Sequence, residues 1–215
     1  MPKKSMHRLA AEHTSPNCKT SATYHIVGYT LLAMMAIVML SLSSAQSFWL
    51  DELEWTIGKV ANKSFAEITT QLLEDGYNMP LYYYTLAILY PLVPFGEVYL
   101  CALSIIFVLI GIIFTRLAAR EIGGERLGFT ALCIASLSSV LMIQGGWEVR
   151  PYAFYFCFSA LTLWLWFRRT KNENRRNITA FGIAMTFLLY SHWFGVVLLA
   201  FYGISDLFQI GRAHV

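Results

Sequence analysis

The chain has 215 residues, of which 57% are hydrophobic and only 13% are charged, with a formal net charge of +3. Soluble domains carry about 25% charged residues, so this composition excludes an ordinary soluble protein. Several apolar runs approach the roughly 20 residues that cross a bilayer, and they are continuous rather than alternating, which excludes a β-barrel. The sequence therefore predicts an all-α, polytopic membrane helix bundle.

Basic residues set the predicted orientation of this bundle. Lysine and arginine are concentrated in the N-terminal tail, in residues 116–126 and in residues 168–176. The positive-inside rule assigns such segments to the cytoplasm, so they are topology signals and no nucleic-acid partner is expected. Residues 51–78 instead carry six acidic side chains against two lysines. We therefore predict a cytoplasmic tail over residues 1–23 and an outer loop over residues 43–96.

The predicted elements follow in chain order from a first span at residues 24–42. An odd number of crossings must connect the outer loop to the cytoplasmic residues 116–126, yet two apolar runs lie between them. The run at 81–93 is short and rich in tyrosine, which favours the interface. We therefore predict a juxtamembrane helix at residues 80–94 on the outer face. The remaining spans, about six in total, are 98–115, 127–143, 152–167, 178–190 and 194–208.

The first apolar run also has a second interpretation. Ser43, Ser44 and Ala45 form a small-residue site of the kind at which a secretory signal peptide is cleaved. The tail before the run is long, and the run exceeds the usual apolar core of a signal peptide, so we favour a retained anchor. Cleavage would leave the outer loop on the same side of the membrane.

Three polar patches are predicted at one depth on the outer face. They are Asp51–Glu52, residues 76–83, and residues 144–152 with residues 191–193 beside them. Ionisable residues at membrane depth are functional candidates by default. Their types fit one chemistry, because carboxylates bind divalent metals or act as general bases, arginine binds phosphate in a forked geometry, and aromatic faces stack on sugars.

Four motifs within these patches resemble a known enzyme family. They are Asp51-Glu52, Asn78-Met79-Pro80-Leu81-Tyr82-Tyr83, Glu148-Val149-Arg150-Pro151-Tyr152-Ala153 and Tyr190-Ser191-His192-Trp193-Phe194-Gly195. Their order and their common predicted side of the membrane are similar to those of the GT-C glycosyltransferases. Within that superfamily they resemble most the bacterial branch related to protein O-mannosyltransferases and the lipid A aminoarabinose transferase. The resemblance covers residues 48–195.

The resemblance implies transfer of a sugar from a polyprenyl-phosphate donor to a protein, lipid or glycan acceptor at the outer face of a bacterial inner membrane. It implies that Asp51 is the general base or organises the acceptor, with Glu52 as its catalytic neighbour. Glu148 and Arg150 would hold the lipid phosphate, or Glu148 a bound Mg²⁺ or Mn²⁺. Many relatives have histidine where this chain has Asn78, whose amide can hydrogen-bond but cannot exchange a proton near neutral pH.

The predicted substrate-binding residues are Asn78, Tyr82, Glu148, Arg150, Tyr152 and His192. Each of the predicted functional residues also has a simpler interpretation. Asp51 and Glu52 can offset a helix dipole. Glu148 and Arg150 can pair with each other, His192 can be a structural hydrogen-bonding residue, and tyrosines at this depth can form an aromatic belt.

Two other functions stay open from the sequence. A small transporter or lipid scramblase would use Glu148 and His192 as proton-relay residues. The chain has no internal repeat, and its polar residues gather at one face rather than at the midplane, which disfavours this interpretation. A non-catalytic membrane subunit is the other alternative.

Residues 210–215 have an unusual composition for the end of a membrane protein. One back-translation of this hexapeptide, followed by a stop codon, matches a common sequencing-library adapter. We therefore expect residues 1–209 to be the N-terminal part of a GT-C-type transmembrane domain and residues 210–215 to be non-native. A genuine short basic tail is the alternative.

Overall fold

The structure is a computed structural model, and it describes residues 18–45, 47–48, 50–76, 79–92, 97–146 and 148–213. Within these ranges the regular secondary structure is helical and contains no strand, which confirms the all-α prediction for this part of the chain. The helices are α1 (Cys18–Ser44), α2 (Leu50–Glu52, continuing through a π-helical turn at Leu53–Ile57 to Gly58–Val60), α3 (Phe65–Asp75), α4 (Pro80–Leu89), α5 (Glu97–Ser136), α6 (Ser139–Gly146), α7 (Tyr152–Lys171), α8 (Arg175–Ser191) and α9 (Gly195–Ala213).

Two of the described helices are long and apolar enough to cross a membrane. They are Ala22–Ser44 in α1 and Val98–Ser136 in α5. The apolar helix at Gly195–Phe208 is shorter. The length and composition of the two long helices favour a membrane protein, whereas the six predicted crossings stay a prediction.

Helix α5 reverses direction inside its range. Gly124 has φ 71° and ψ −167°, a backbone conformation that is open essentially to glycine alone. Arg116 Nη2 lies 3.4 Å from Glu125 Oε2, although nine residues of straight helix would separate these positions by about 13 Å. Most of the basic segment at residues 116–126 is therefore helical, because the first leg of α5 (residues 97–122) continues up to a glycine turn, and its cytoplasmic location stays a prediction.

Helix α7 packs against the first leg of α5 and against α8 and α9. Phe107 of α5 stacks on Phe154 of α7 with ring centroids 3.7 Å apart. Tyr155, near the start of α7, lies beside His192 at the end of α8, whereas Arg169, near the end of α7, lies over the ring of Phe181 near the start of α8. Helices α7 and α8 therefore run antiparallel, and α7 brings residues 150–152 to the end of the bundle where α8 ends.

The opposite end of the bundle is held together by ion pairs. Arg169 donates to both carboxylate oxygens of Asp206 at 2.5 Å, and Trp166 Nε1 donates to the same carboxylate at 3.2 Å. This carboxylate connects α9 to α7. Lys171 Nζ lies 2.9 Å from Glu121 Oε2 and connects α7 to α5. Residues 116–126 and 168–176, two of the basic segments that the sequence assigns to the cytoplasm, lie at this end.

Helices α2, α3 and α4 form the segment that the sequence predicts as an outer loop with juxtamembrane helices. Ser64 and Glu67 form a capping box at the start of α3, and Gly76 ends that helix with a φ of 72°. Pro80 occupies the first turn of α4, where its missing N–H costs nothing. The predicted helix at residues 80–94 is present through the 3₁₀ turn Tyr90–Leu92, and its last two residues lie outside the described ranges.

The two ends of the chain bear on the predicted domain boundaries. Helix α1 begins at Cys18, inside the predicted tail of residues 1–23, and residues 1–17 lie outside the described ranges. Helix α9 ends at Ala213. The non-native origin of residues 210–215 stays a prediction.

Candidate functional site

A cavity of about 400 Å³ opens where α2, α4, α7 and the turn between α8 and α9 meet. This volume lies within the range of about 300–1,000 Å³ that is typical of ligand pockets. Its walls are formed by Trp55, Thr56, Met79, Tyr83, Arg150, Pro151, Tyr152, Ser191, His192, Trp193 and Phe194. Polar patches that are far apart in the sequence thus share one cavity, and aromatic rings make up a large part of its wall.

Glu52 connects the first motif to the third. The Val149 amide donates to Glu52 Oε1 at 2.6 Å, and Glu52 is only 2% exposed. A short, charge-assisted bond to a buried carboxylate is among the stronger hydrogen bonds in proteins. It fixes the backbone between Glu148 and Arg150. Because Glu52 is buried and its carboxylate binds this amide, the structure shows it as a positioning residue, and its predicted catalytic role stays a prediction.

Two of the predicted residues have side chains that the structure does not describe. Asp51 precedes Glu52 in α2, and its backbone is helical. Asn78 lies outside the described ranges, although the next residue, Met79, lines the cavity. The role of Asp51 as a general base and that of Asn78 in substrate binding therefore stay predictions.

Glu148 and Arg150 flank Val149 and are both partly buried. Arg150 lines the cavity. Burial raises the pKa of the Glu148 carboxyl, Arg150 opposes this shift, and the neighbouring Glu52 adds to it. The site therefore combines an arginine with a carboxyl group that binds its proton more tightly than usual.

The donor set for a metal is incomplete among the described residues. No group of three histidine, cysteine, aspartate or glutamate side chains that could hold a metal ion occurs in that part of the chain. Sites for Mg²⁺ or Mn²⁺ are built from oxygen ligands, and Glu148 supplies only one. The predicted metal role of Glu148 stays a prediction.

The tyrosines of the second motif lie in different environments. Tyr82 is 0% exposed, and its ring packs edge-on against Phe154 at 5.1 Å. Tyr83 lines the cavity. Consecutive helical residues point about 100° apart, because one turn takes about 3.6 residues. Tyr82 is therefore a core residue and Tyr83 lines the cavity in its place, so the predicted binding role of Tyr82 has no support from this cavity and stays a prediction.

His192 and Tyr152 face each other in the cavity wall, with ring centroids 5.7 Å apart. Burial lowers the pKa of the His192 imidazole, which favours its neutral form. The Phe194 amide donates to His192 Nδ1 at 3.3 Å, so the remaining proton of the neutral ring is on Nε2. The Nε2–H group of His192 can therefore donate a hydrogen bond in an aromatic setting, and the predicted binding role of this residue stays a prediction.

The sequence reasoning missed Trp55 and Thr56 as cavity residues. Trp55 follows Glu52 by three residues, a spacing that brings side chains to neighbouring positions on a helix, and this was the only available signal. Trp193 was noted within its motif but was not assigned a binding role. Both tryptophans line the cavity.

An apolar groove of about 290 Å³ lies between α4 and α8. Its walls are Pro80, Leu81, Tyr84, Thr186, Phe187 and Tyr190. Two residues adjacent in sequence to these walls, Tyr83 beside Tyr84 in α4 and Ser191 beside Tyr190 at the end of α8, line the first cavity. The groove and the cavity are therefore built on the same pair of helices.

Comparisons with known proteins assign no family. No family model matches the chain, and no curated protein or solved structure matches it significantly. The GT-C resemblance therefore rests on the four motifs and stays a prediction.

Proposed function

We propose that this protein is a glycosyltransferase that moves a sugar from a polyprenyl-phosphate donor to an acceptor at the non-cytoplasmic face of the membrane. The observation that carries this proposal is the hydrogen bond between Glu52 and the Val149 amide, which joins two motifs 97 residues apart at the edge of one cavity. An arginine, a neutral histidine and several aromatic rings line that cavity. These groups suit a phosphate attached to a sugar.

The distribution of charge supports the proposed orientation. The cavity lies at the end of the bundle that carries the acidic residues of α2 and α3, and the arginines of residues 168–176 lie at the other end. The positive-inside rule places the basic end in the cytoplasm. In the proposed arrangement, the six spans are α1, the first leg of α5, the second leg of α5 together with α6, and then α7, α8 and α9. Helices α2–α4 are juxtamembrane helices.

The proposed step is a single displacement. Arg150 binds the donor phosphate, and the lipid chain lies in the apolar groove between α4 and α8. Asp51 removes the proton from an acceptor hydroxyl or amine, whose oxygen or nitrogen then forms a bond to the anomeric carbon. The bond from that carbon to the phosphate oxygen breaks, so the lipid phosphate leaves and the configuration inverts.

The test uses membranes from cells that produce the chain, with undecaprenyl phosphate carrying radiolabelled mannose or aminoarabinose as donor and the endogenous acceptors present. Release of undecaprenyl phosphate and transfer of the label are measured. Asp51→Asn should reduce turnover about 10²- to 10⁴-fold, since general-base catalysis contributes an amount of this order. Arg150→Gln should weaken donor binding about tenfold or more, as expected for the loss of a charged hydrogen bond to phosphate.

Arg175→Gln is the matched control, because Arg175 is an exposed arginine at the start of α8, away from the cavity. Its turnover should equal that of the wild type. Full activity of the Asp51→Asn variant would refute the assigned chemistry. No turnover by the wild-type protein with either donor would refute the proposed substrate class.

A further inference from the structure

A second cavity, of about 310 Å³, lies between α2 and α3 and shares Trp55 with the first. Its other walls come from Glu54 and Lys59 of α2, from Lys63, and from Gln71 and Glu74 of α3. The volume is at the lower end of the range of about 300–1,000 Å³ for ligand pockets, which fits a group the size of one sugar ring. None of the residues predicted from the motifs is needed to form it.

The π-helical turn of α2 places Trp55 between the two cavities. The Gly58 amide bonds to the carbonyl oxygen of Leu53, and a Cβ on Gly58 would lie only 2.6 Å from that oxygen. This wide turn therefore requires a glycine at position 58. Single π turns within helices occur frequently at functional sites. Trp55 remains 48% exposed, so part of its ring is available to a ligand.

The polar groups around Trp55 are held in place by one another. The Lys59 ammonium group is paired with Asp75 and lies 5.0 Å from the centre of the Trp55 ring. Lys63 Nζ donates to Gln71 Oε1 at 2.9 Å. The aromatic face of Trp55 is thus surrounded by fixed hydrogen-bond donors and acceptors. The hydroxyl groups of a ligand can accept hydrogen bonds from the donors and donate hydrogen bonds to the acceptors.

The charges of this cavity disfavour an anionic ligand. Its two ammonium groups, on Lys59 and Lys63, are outnumbered by the carboxylates of Glu54, Glu74 and Asp75. A phosphate or sulfate group needs a surplus of positive charge. A neutral sugar has an apolar face that stacks on an aromatic ring and a rim of hydroxyl groups that bond to carboxylate, amide and ammonium groups.

We propose that the cavity between α2 and α3 binds a sugar residue of the acceptor, so that the acceptor is a glycan. This inference rests on the proposed transferase function. The donor occupies the cavity that contains Arg150, the acceptor sugar stacks on the exposed part of Trp55, and its reacting hydroxyl reaches the anomeric carbon past the edge of that ring. The bonds formed and broken are those of the displacement described above.

Saturation-transfer NMR on the purified full chain in detergent micelles tests this inference. The probes are methyl α-D-mannopyranoside and chitobiose, and a serine-containing peptide is the comparison ligand. At least one saccharide should bind to the wild type. Trp55→Ala, Gln71→Ala and Glu74→Ala should each weaken that binding about tenfold, the effect expected when a stacking face or a hydrogen bond to a charged group is lost. Glu74 is exposed, so its variant serves if another variant fails to fold.

Thr70→Ala is the matched control, since Thr70 is exposed on α3 beside Gln71 and is not part of the cavity wall. It should bind saccharide as the wild type does. Binding of undecaprenyl phosphate is measured on the same samples. It should be unchanged in Gln71→Ala and Glu74→Ala and weakened in Arg150→Gln, whose saccharide binding should be unaffected.

The two proposals fail in distinguishable ways. The glycan site is refuted if neither saccharide binds, if the peptide binds in their place, or if saccharide binding is unchanged in all three cavity variants. This holds whether or not undecaprenyl phosphate binds. If saccharide binding depends on Gln71 and Glu74 but undecaprenyl phosphate does not bind, the saccharide site stands and the transferase proposal fails.

Discussion

Substitution of Glu52 should loosen the segment that carries Glu148 and Arg150. Glu52 is 2% exposed and accepts the Val149 amide at 2.6 Å. A hydrogen bond to a charged group contributes about 1.5–3 kcal/mol, against about 0.5–1.5 kcal/mol for a neutral pair. Glu52→Gln keeps an acceptor oxygen and should cost about 1 kcal/mol, whereas Glu52→Ala leaves a buried amide unpaired and should cost about 2–3 kcal/mol.

Hydrogen exchange at the Val149 amide, followed by mass spectrometry of a peptide that contains it, measures this cost locally. Because about 1.4 kcal/mol corresponds to a factor of ten, exchange should be about fivefold faster in Glu52→Gln and about 30- to 150-fold faster in Glu52→Ala. Glu173→Gln is the matched control, because Glu173 is an exposed carboxylate in the turn between α7 and α8. Its exchange at Val149 should equal that of the wild type.

Two results would contradict this reasoning. Unchanged exchange at Val149 in a folded Glu52→Ala protein would mean that the carboxylate does not restrain the segment. A uniform rise in exchange over all helices would mean that Glu52 supports the fold in general rather than this segment in particular.

Three further predictions concern stability. Asp206→Asn weakens the pair with Arg169, which is partly exposed, so it should cost about 1–2 kcal/mol, seen as a lower midpoint of thermal unfolding in detergent. Ser64→Ala removes the capping box with Glu67 and should cost about 1 kcal/mol, seen as faster exchange in the first turn of α3. Burial raises the pKa of Glu148 above its ordinary value of 4.5, so the folded state binds this proton more tightly than the unfolded state does. The resulting stability is fully present below pH 4.5 and is lost as the pH rises through the folded pKa, and Glu148→Gln should remove this dependence of the unfolding midpoint on pH.

Each of these predictions has a control. Ser64→Thr keeps a hydroxyl that can cap α3, so slow exchange should return. Asp206→Glu keeps the charge and should retain more stability than Asp206→Asn. If Asp206→Asn unfolds at the same midpoint temperature as the wild type, the pair with Arg169 does not stabilise the fold as its contacts indicate. If the unfolding midpoints of Glu148→Gln and the wild type depend on pH in the same way, the Glu148 carboxyl is not coupled to folding.

The helices could be predicted from the apolar runs, but their ends could not. Residues 152–167 were predicted as a span, and the helix continues to Lys171. Residues 178–190 were likewise predicted, and the helix begins at Arg175. An apolar run ends where the charged side chains begin. The helix continues beyond that point, because arginine and lysine are good helix formers. The glycine turn of α5 was similarly hidden in a basic segment.

Within the site, the meeting of the motifs could be predicted and their internal roles could not. The number of crossings places residues 51–54 and 148–152 on one side, and both lie at one end of the bundle. The burial of Glu52 against an amide 97 residues away depends on tertiary packing that no local pattern records. The position of Trp55 in the cavity wall likewise depends on a π turn that no local sequence pattern records. Sequence therefore indicated which segments form the site but not which side chains face the cavity.

Helix α7 couples the cavity to the basic end of the bundle. Its 20 residues give a length of about 30 Å, close to the thickness of a bilayer's hydrocarbon core. Tyr152 at its start faces His192, while Arg169 near its end holds Asp206. A slip of α7 by one turn, about 5.4 Å, would break both contacts at once. The ion pair with Asp206 and the contact with His192 therefore select the same register, so the charged pair at the basic end also sets the depth at which Arg150 enters the cavity.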